Sequence, residues 1–127
     1  MLKTGAVLII DDEELIREAV IDILDLIGVK TYSAASGEEG LTLLKTHGQE
    51  ISVVILDMQM PYMSGEETYK RLRTVDPDVK VIFSSGYSED ASSRFLNDPA
   101  HTNSTFFLQK PYPIDVLIEL VQAVQGS

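Results

Sequence analysis

Carboxylates at the ends of two apolar segments are the residues of this sequence best suited to chemistry. Asp11 and Asp12 directly follow the apolar run 6–10, and Asp57 directly follows the apolar run 51–56. Clustered carboxylates repel one another and raise each other's pKa unless a cation is present. A few oxygen ligands suit Mg²⁺, which keeps some of its waters, and they also suit Mn²⁺. If the two runs are neighbouring strands, the three side chains therefore predict a site for a divalent cation.

Helix capping is the alternative role for the first two acids. Asp11 with Glu14 matches the spacing of a capping box. For Asp11 and Asp12 the sequence therefore supports a role as helix cap and a role as metal ligand equally. Asp57 is different, because it ends a fully apolar run and a turn-rich loop follows it. In that loop Pro61 fixes one turn and Gly65 permits a close approach to the next helix.

Groups able to bind phosphoryl oxygens follow two later apolar runs. Ser84 and Ser85 end the fourth run, and Lys110 follows the fifth and precedes Pro111, which favours an extended backbone. A lysine at a strand end is by itself most often a solvated surface charge. Taken together, a carboxylate nucleophile, a metal site, a lysine and a hydroxyl are the parts that phosphoryl transfer requires.

Five short runs rich in β-branched residues predict the strands that must position these groups. They are Ala6–Ile10, Val29–Ser33, Ile51–Leu56, Val79–Phe83 and Thr105–Leu108. Their alternation with helical segments predicts a parallel sheet in an α/β fold with three layers. The run 29–33 alternates in polarity and is expected at an edge, whereas runs 6–10 and 51–56 are almost uniformly apolar and are expected to be covered on both faces. Ligands of such sheets bind beyond the carboxyl ends of the strands.

The segments between the strands carry helical patterns. An apolar stripe runs from Leu15 to Ile27 and Gly28 follows it as a stop. Ser36 and Ser64 each precede a glutamate by three residues, which predicts two capping boxes. A short fourth helix is expected after position 88. Pro113 suits the first position of a last helix that ends near Gly126 and carries an apolar stripe of Leu117, Leu120, Val121 and Val124.

Composition limits the classes of protein that remain. The 127 residues predict a single domain, 1–127, with a core of about 6–125. There is no cysteine, and the formal net charge of −10 disfavours direct binding to nucleic acid or to an anionic membrane. No apolar run approaches the roughly 20 residues needed to cross a bilayer, and no signal-peptide pattern is present. We expect a soluble, cytoplasmic protein.

Four motifs, in order, resemble the receiver domain of two-component response regulators. They are Ile10–Glu13, Leu56–Gly65, Phe83–Tyr87 and Phe107–Pro111, and the resemblance covers about 7–124. It implies a flavodoxin-like (βα)5 fold with strand order 2-1-3-4-5. The segments Ser84–Ser88 and Phe107–Tyr112 look most like receivers attached to hybrid sensor histidine kinases.

The resemblance also implies roles for the acidic residues and the lysine. Asp57 would accept a phosphoryl group from a phosphohistidine on a histidine kinase or a histidine phosphotransfer protein. Asp12, Asp57 and the backbone carbonyl of Gln59 would bind Mg²⁺, with Asp11 acting largely through water. Lys110 would pair with the phosphoryl group.

A switch is implied in the same way. Ser85 would be the switch hydroxyl, Gly86 the small residue that admits the phosphoryl group, and Phe107 the aromatic that turns inward, with the preceding phenylalanine in the core. Gln59 and Tyr87 stand where the family tunes loss of the phosphoryl group, and our hypothesis is that the bulk of Tyr87 shields the acyl phosphate from water. The surface of the fourth helix, fifth strand and fifth helix would then change partners, with a phosphorylation-dependent homodimer as one outcome.

Two other functions are weighed against this signalling module, which is expected to catalyse only its own phosphorylation and dephosphorylation. A phosphohydrolase could use Asp57 as nucleophile. Haloacid-dehalogenase-like phosphatases, however, place a general acid two residues later, where this chain has Gln59. A pseudo-receiver that binds partners without phosphate is disfavoured by the intact Asp57, Lys110 and acidic pair.

Overall fold

In the computed structural model, which describes residues 5–86 and 104–126, a five-stranded parallel sheet positions the functional residues. Its strands are β1 (Ala6–Ile10), β2 (Thr31–Ala34), β3 (Ile51–Asp57), β4 (Lys80–Ser85) and β5 (Thr105–Gln109). The order is β2-β1-β3-β4-β5, as predicted, and β2 lies at an edge. Four of the predicted runs have other bounds in the structure: β2 is Thr31–Ala34 instead of 29–33, β4 is Lys80–Ser85 instead of 79–83, and β3 and β5 each extend one residue further. Val29 precedes β2, because its N–H is bonded to the carbonyl of Leu24 in the turn that closes the first helix (2.9 Å).

Four helices lie in the described residues: α1 (Glu14–Leu26), α2 (Gly37–His47), α3 (Gly65–Val75) and α4 (Ile114–Gln125). The helix predicted after position 88 falls outside the described residues, so the last helix is named α4 here. Gly28 has φ +75°, the left-handed conformation that glycine adopts readily, and α1 ends just before it. Pro113 is the N-cap of α4 with ψ 153°, which corrects the prediction that it would be the first helical residue.

The two predicted capping boxes are half formed. Ser36 Oγ accepts from the N–H of Glu39 (3.2 Å) and Ser64 Oγ accepts from the N–H of Glu67 (3.1 Å), so both serines are N-caps. The reciprocal bond differs from the box pattern, because the Glu39 carboxylate accepts from Ala35, one residue before the cap (3.1 Å). The serine half of the motif, which starts each helix, is the part that is confirmed.

Helices cover both faces of the sheet. On one face, Leu8 and Ile10 of β1 pack in a core that includes residues of α2 and α3, and on the other face Val7 and Ile9 pack with α1 and α4. This explains the uniformly apolar β1, since both of its faces are buried, and it confirms the three-layer prediction. Among the described helices, none has the length and apolar character needed to span a membrane.

Gly65 brings the start of α3 against the backbone that follows Asp57. A Cβ atom at this position would lie 2.5 Å from the Met58 Cα and 2.6 Å from the Asp57 carbonyl oxygen. Both are backbone atoms of the segment that leaves β3, and they cannot move aside as a flexible side chain can. The glycine thus fixes how closely the helix approaches the end of the central strand.

A Gly65→Ala substitution should therefore destabilise the domain. The added methyl group overlaps backbone atoms, and overpacking of this kind costs about 2–3 kcal/mol of unfolding free energy. Urea denaturation followed by circular dichroism measures the loss. Gly126→Ala is the control, because its nearest atom, the Gln122 carbonyl oxygen, is 3.3 Å away. Equal losses in the two variants would show that the approach at position 65 is not tight.

Candidate functional site

Strand register brings the acidic residues together at the carboxyl end of the sheet. Ile10 of β1 pairs with Leu56 of β3, so the next residues, Asp11 and Asp57, lie side by side. On the other side of β3, Asp57 pairs with Ser84 of β4. The predicted convergence of the two acidic segments follows directly from this pairing.

The same register places the lysine and the second serine at this edge. Ser85 pairs with Gln109 of β5, and the N–H of Lys110 donates to the Ser85 carbonyl (2.7 Å). Lys110 is joined to Pro111 by a cis peptide bond. Asp11, Asp57, Ser85 and Lys110 therefore lie at one rim. Tyr87 lies outside the described residues.

Three carboxylates are grouped closely enough to hold a metal ion. One oxygen from each of Asp11, Asp12 and Asp57 lies within 4.8 Å of the others. Oxygen ligands of Mg²⁺ sit about 2.1 Å from the ion, hence up to about 4.2 Å apart, so a contraction of a few tenths of an ångström would complete the set. Asp11 and Asp57 are buried, whereas Asp12 is exposed. This donor set fits a hard divalent cation.

Asp11 does not cap α1. The N-cap is Glu13, which makes no side-chain capping bond, and the Asp11 Oδ1 atom accepts from the Glu13 N–H at 2.9 Å in a turn before the helix. The capping-box interpretation of Asp11 is therefore wrong. Its other oxygen, Oδ2, is turned toward Lys110.

Lys110 lies among three carboxylates and is not a solvated surface charge. Its Nζ is 2.8 Å from Asp11 Oδ2, 3.4 Å from Asp57 Oδ1 and 3.6 Å from Glu13 Oε1, and its side chain is only 13% exposed. Burial alone would lower the pKa of Lys110, but the hydrogen bond to Asp11 and the surrounding negative charges outweigh it and raise the pKa. The sequence pattern indicated no role for Glu13, although this residue directly follows the acidic pair.

Burial raises the pKa of Asp57 from 3.8 to about 7 in the metal-free domain. The hydrogen bond from the Gln59 N–H (3.0 Å) acts in the opposite direction, the charge of Asp11 raises the pKa further, and Lys110 lowers it. At neutral pH this carboxyl group therefore stands near its titration midpoint. A cation bound beside it would favour the ionised, nucleophilic form.

The side chain of Gln59 closes one side of the cleft above Asp57. Its Nε2 donates to Ser85 Oγ at 2.7 Å, and its Oε1 accepts from the Gly86 N–H at 3.3 Å. The cleft, of about 370 Å³, is lined by Glu13, Asp57, Gln59, Gly86 and Lys110. Gln59 was predicted to supply a carbonyl ligand and to occupy a tuning position, but no pattern in the sequence indicated these side-chain contacts.

The consecutive phenylalanines of β5 point to opposite faces of the sheet. Phe107 packs against the core beneath α2 and α3, and Phe106 packs against the core beneath α1 and α4. Both side chains are half-buried. Only Phe107 shares a face with Phe83 of the neighbouring strand, and this is the geometry on which its predicted switch role depends.

Doubly wound α/β domains with a buried aspartate at the end of the central strand, beside an acidic pair and a lysine, form a class built to receive a phosphoryl group. The family model of the response regulator receiver domain matches residues 7–122, and the chain belongs to this family. Receiver domains of response regulators interact with histidine kinases or phosphotransfer proteins. The predicted family is thus confirmed.

The relatives include a much longer sensor kinase and a protein of similar length. The sensor kinase CckA of Brucella abortus is 37% identical over 94% of this chain, which spans 12% of its length. Sporulation initiation phosphotransferase F of Bacillus subtilis is 28% identical over 91% of the chain and 90% of its own. Among solved structures, Vibrio cholerae CheY4 has a TM-score of 0.82 with 25% identity, covering 98% of this chain and 99% of that one.

Proposed function

We propose that Asp57 accepts a phosphoryl group from a phosphohistidine in a reaction that needs Mg²⁺, and that the domain is a signalling module rather than an enzyme with an external substrate. One observation carries this proposal. Asp57 Oδ1 is held by the Gln59 N–H and Lys110, whereas Oδ2 has no hydrogen-bond partner among the described residues. One oxygen is fixed and the other remains available as the nucleophile.

The transfer balances as a displacement at phosphorus. Asp57 Oδ2 forms a bond to phosphorus, the bond from phosphorus to the imidazole nitrogen breaks, and its electron pair stays on the departing histidine. The product is an acyl phosphate. Lys110 lies 3.4 Å from the reacting carboxyl group, where its ammonium would neutralise charge on the transferred oxygens. Ser85 would donate to another of these oxygens.

The metal site deepens the proposal. Asp11, Asp12, Asp57 and the Gln59 carbonyl would hold Mg²⁺, or Mn²⁺, with Asp11 acting through water. When bound, the ion supplies positive charge that offsets the carboxylates and the incoming phosphate. Such charge is needed, because the Lys110 ammonium already pairs with Asp11, Glu13 and Asp57, and Asp12 lies beside two of these carboxylates.

Incubation with acetyl phosphate and Mg²⁺ tests the proposal. Intact-mass spectrometry should show the gain of one phosphoryl group that survives acid and is lost in base, as expected of an acyl phosphate. Asp57→Asn and the parent protein in EDTA should gain none. Labelling of Asp57→Asn would contradict the assignment of the acceptor, and steady turnover of p-nitrophenyl phosphate would favour the phosphohydrolase.

An apolar groove beside the cleft offers a surface for the phosphohistidine-bearing partner. It has a volume of about 650 Å³ and lies between the first turns of α1 and α4, with Leu15 and Ile114 80% and 59% exposed. Lys110 and Gly86 belong to the lining of both the groove and the cleft. A helix that carries its histidine to Asp57 would bury this groove, and exposed apolar surface of this kind marks protein interfaces.

Replacing Leu15 by aspartate should slow phosphotransfer from a phosphorylated histidine phosphotransfer protein by at least tenfold, because a charge would be buried in the apolar contact. Labelling by acetyl phosphate should not change. Leu26→Asp is the matched control, since Leu26 lies at the far end of the same helix and is 82% exposed. Equal transfer rates in the two variants, measured by rapid quench, would place the partner elsewhere.

The output of the domain rests on the same proposal. Movement of Ser85 toward the phosphoryl group would let Phe107 turn inward and change the surface around β5. Size-exclusion chromatography of the labelled domain tests whether a homodimer forms. The cytoplasmic location stays a prediction.

A further inference from the structure

The amide of Gln59 is bound at both ends, and its orientation is fixed by chemistry. The N–H of Gly86 can only donate, so the amide atom that faces it at 3.3 Å is the oxygen. The nitrogen must then face Ser85 Oγ, 2.7 Å away, and the hydroxyl oxygen accepts. One side chain therefore engages two successive residues at the end of β4.

Gln59 is also anchored beside the phosphoacceptor. Its own N–H donates to Asp57 Oδ1 at 3.0 Å, so backbone and side chain together connect Asp57 with Ser85 and Gly86. Gln59 and Gly86 line the same cleft as Asp57. A group attached to Asp57 would enter the space that this amide borders.

We propose that Gln59 is a positioning residue that holds Ser85 and Gly86 in the resting arrangement, and that a phosphoryl group on Asp57 must displace its amide to engage them. The inference rests on the proposed function, because it assigns a regulatory role within the same site. A phosphoryl oxygen is an acceptor that competes with Gln59 Oε1 for the Gly86 N–H. In the resting state the Gln59 amide restrains the Ser85 hydroxyl. This hydroxyl is released when it turns toward the phosphoryl group.

Removal of the amide should therefore favour the activated arrangement. Gln59→Met keeps the length of the side chain and the backbone carbonyl but loses both hydrogen bonds. Even if only one of these hydrogen bonds stabilises the resting state, its loss corresponds to an increase of at least about fivefold in affinity for a phosphoryl mimic. The probe is beryllofluoride at saturating Mg²⁺, titrated by NMR.

A second readout needs neither metal nor phosphoryl group. In the resting Gln59→Met domain, the amide resonance of Gly86 should move and its hydrogen exchange should become faster, because its acceptor is gone. Gln49→Met is the matched control, since Gln49 is exposed at the opposite end of the sheet, just before β3. It should behave as the parent does in both measurements.

The outcomes separate the two proposals. If the parent neither accepts a phosphoryl group nor binds beryllofluoride, the proposed function fails, while the resting Gly86 amide still tests the hydrogen bonds. If the parent is labelled normally but Gln59→Met shows the parent's affinity and the parent's Gly86 exchange, the role of Gln59 is overturned. If Gln59→Met changes the affinity for Mg²⁺ by the same factor as the affinity for beryllofluoride, the effect arises at the metal site, and the role of Gln59 is overturned as well.

Discussion

The metal-free Lys110→Met variant is expected to have an unfolding free energy about 3 kcal/mol lower than that of the parent, because removing one partner of a buried ion pair leaves uncompensated charge. The Lys110 ammonium pairs with the buried carboxylates of Asp11 and Asp57, at 2.8 and 3.4 Å. Methionine preserves the length and apolar contacts of the side chain. Urea denaturation in EDTA at pH 7.5 measures the difference.

Lys70→Met is the control for this prediction. Lys70 is 67% exposed and pairs with Glu66 at 3.5 Å on the surface of α3, so its removal should cost less than about 0.5 kcal/mol. Saturating Mg²⁺ should restore part of the stability that Lys110→Met loses, since it supplies positive charge to the same carboxylates. If both lysine variants unfold like the parent in EDTA, the three carboxylates do not depend on Lys110.

Stability of the metal-free domain should fall as pH rises from 5 to 8. The pKa of Asp57 is about 7 in the folded domain and 3.8 as its ordinary value, so between these values the folded state binds more protons than the unfolded state. Under that condition the unfolding free energy decreases with pH, and the loss is complete above the folded pKa. The contribution of Asp57 over this range is about 3 kcal/mol. Urea titrations at several pH values in EDTA measure it.

Asp57→Asn isolates this contribution from other titrating groups. The variant cannot ionise at position 57, so the parent minus variant difference in unfolding free energy should fall by that amount between pH 5 and pH 8. Saturating Mg²⁺ should reverse the trend in the parent, because the ion favours the ionised carboxylate and binds the folded state. A difference that stays flat across the range would show that the carboxyl group titrates normally.

The architecture was predictable because it depends on features that are local in the sequence. Five β-branched runs and two serine caps are read from neighbouring residues, and the almost uniformly apolar runs of β1 and β3 had to be covered on both faces. Where local rules compete, the prediction was less accurate. Val29 suits a strand, but the turn that closes α1 takes its N–H for the Leu24 carbonyl.

The site was only partly predictable, for a related reason. Convergence of Asp11, Asp57 and Lys110 followed once parallel strands were inferred, because each lies at the end of a strand or just beyond it. The Gln59 side chain, by contrast, contacts Ser85 and Gly86, which lie 26 and 27 positions later in the sequence. Such contacts depend on side-chain orientations that no periodicity encodes.

Phe106 and Phe107 lie on opposite faces of the sheet, and these faces separate binding of the phosphoryl donor from the predicted switch. The groove proposed for the phosphohistidine-bearing partner lies between α1 and α4, on the face of Phe106, whereas Phe107 reaches the opposite layer. A rearrangement of Phe107 would therefore leave the groove proposed for the phosphohistidine-bearing partner largely unchanged. Substitutions on the Phe107 face that alter binding of the output partner need not alter binding of the phosphoryl donor. The specificities for these two partners can therefore change independently during evolution.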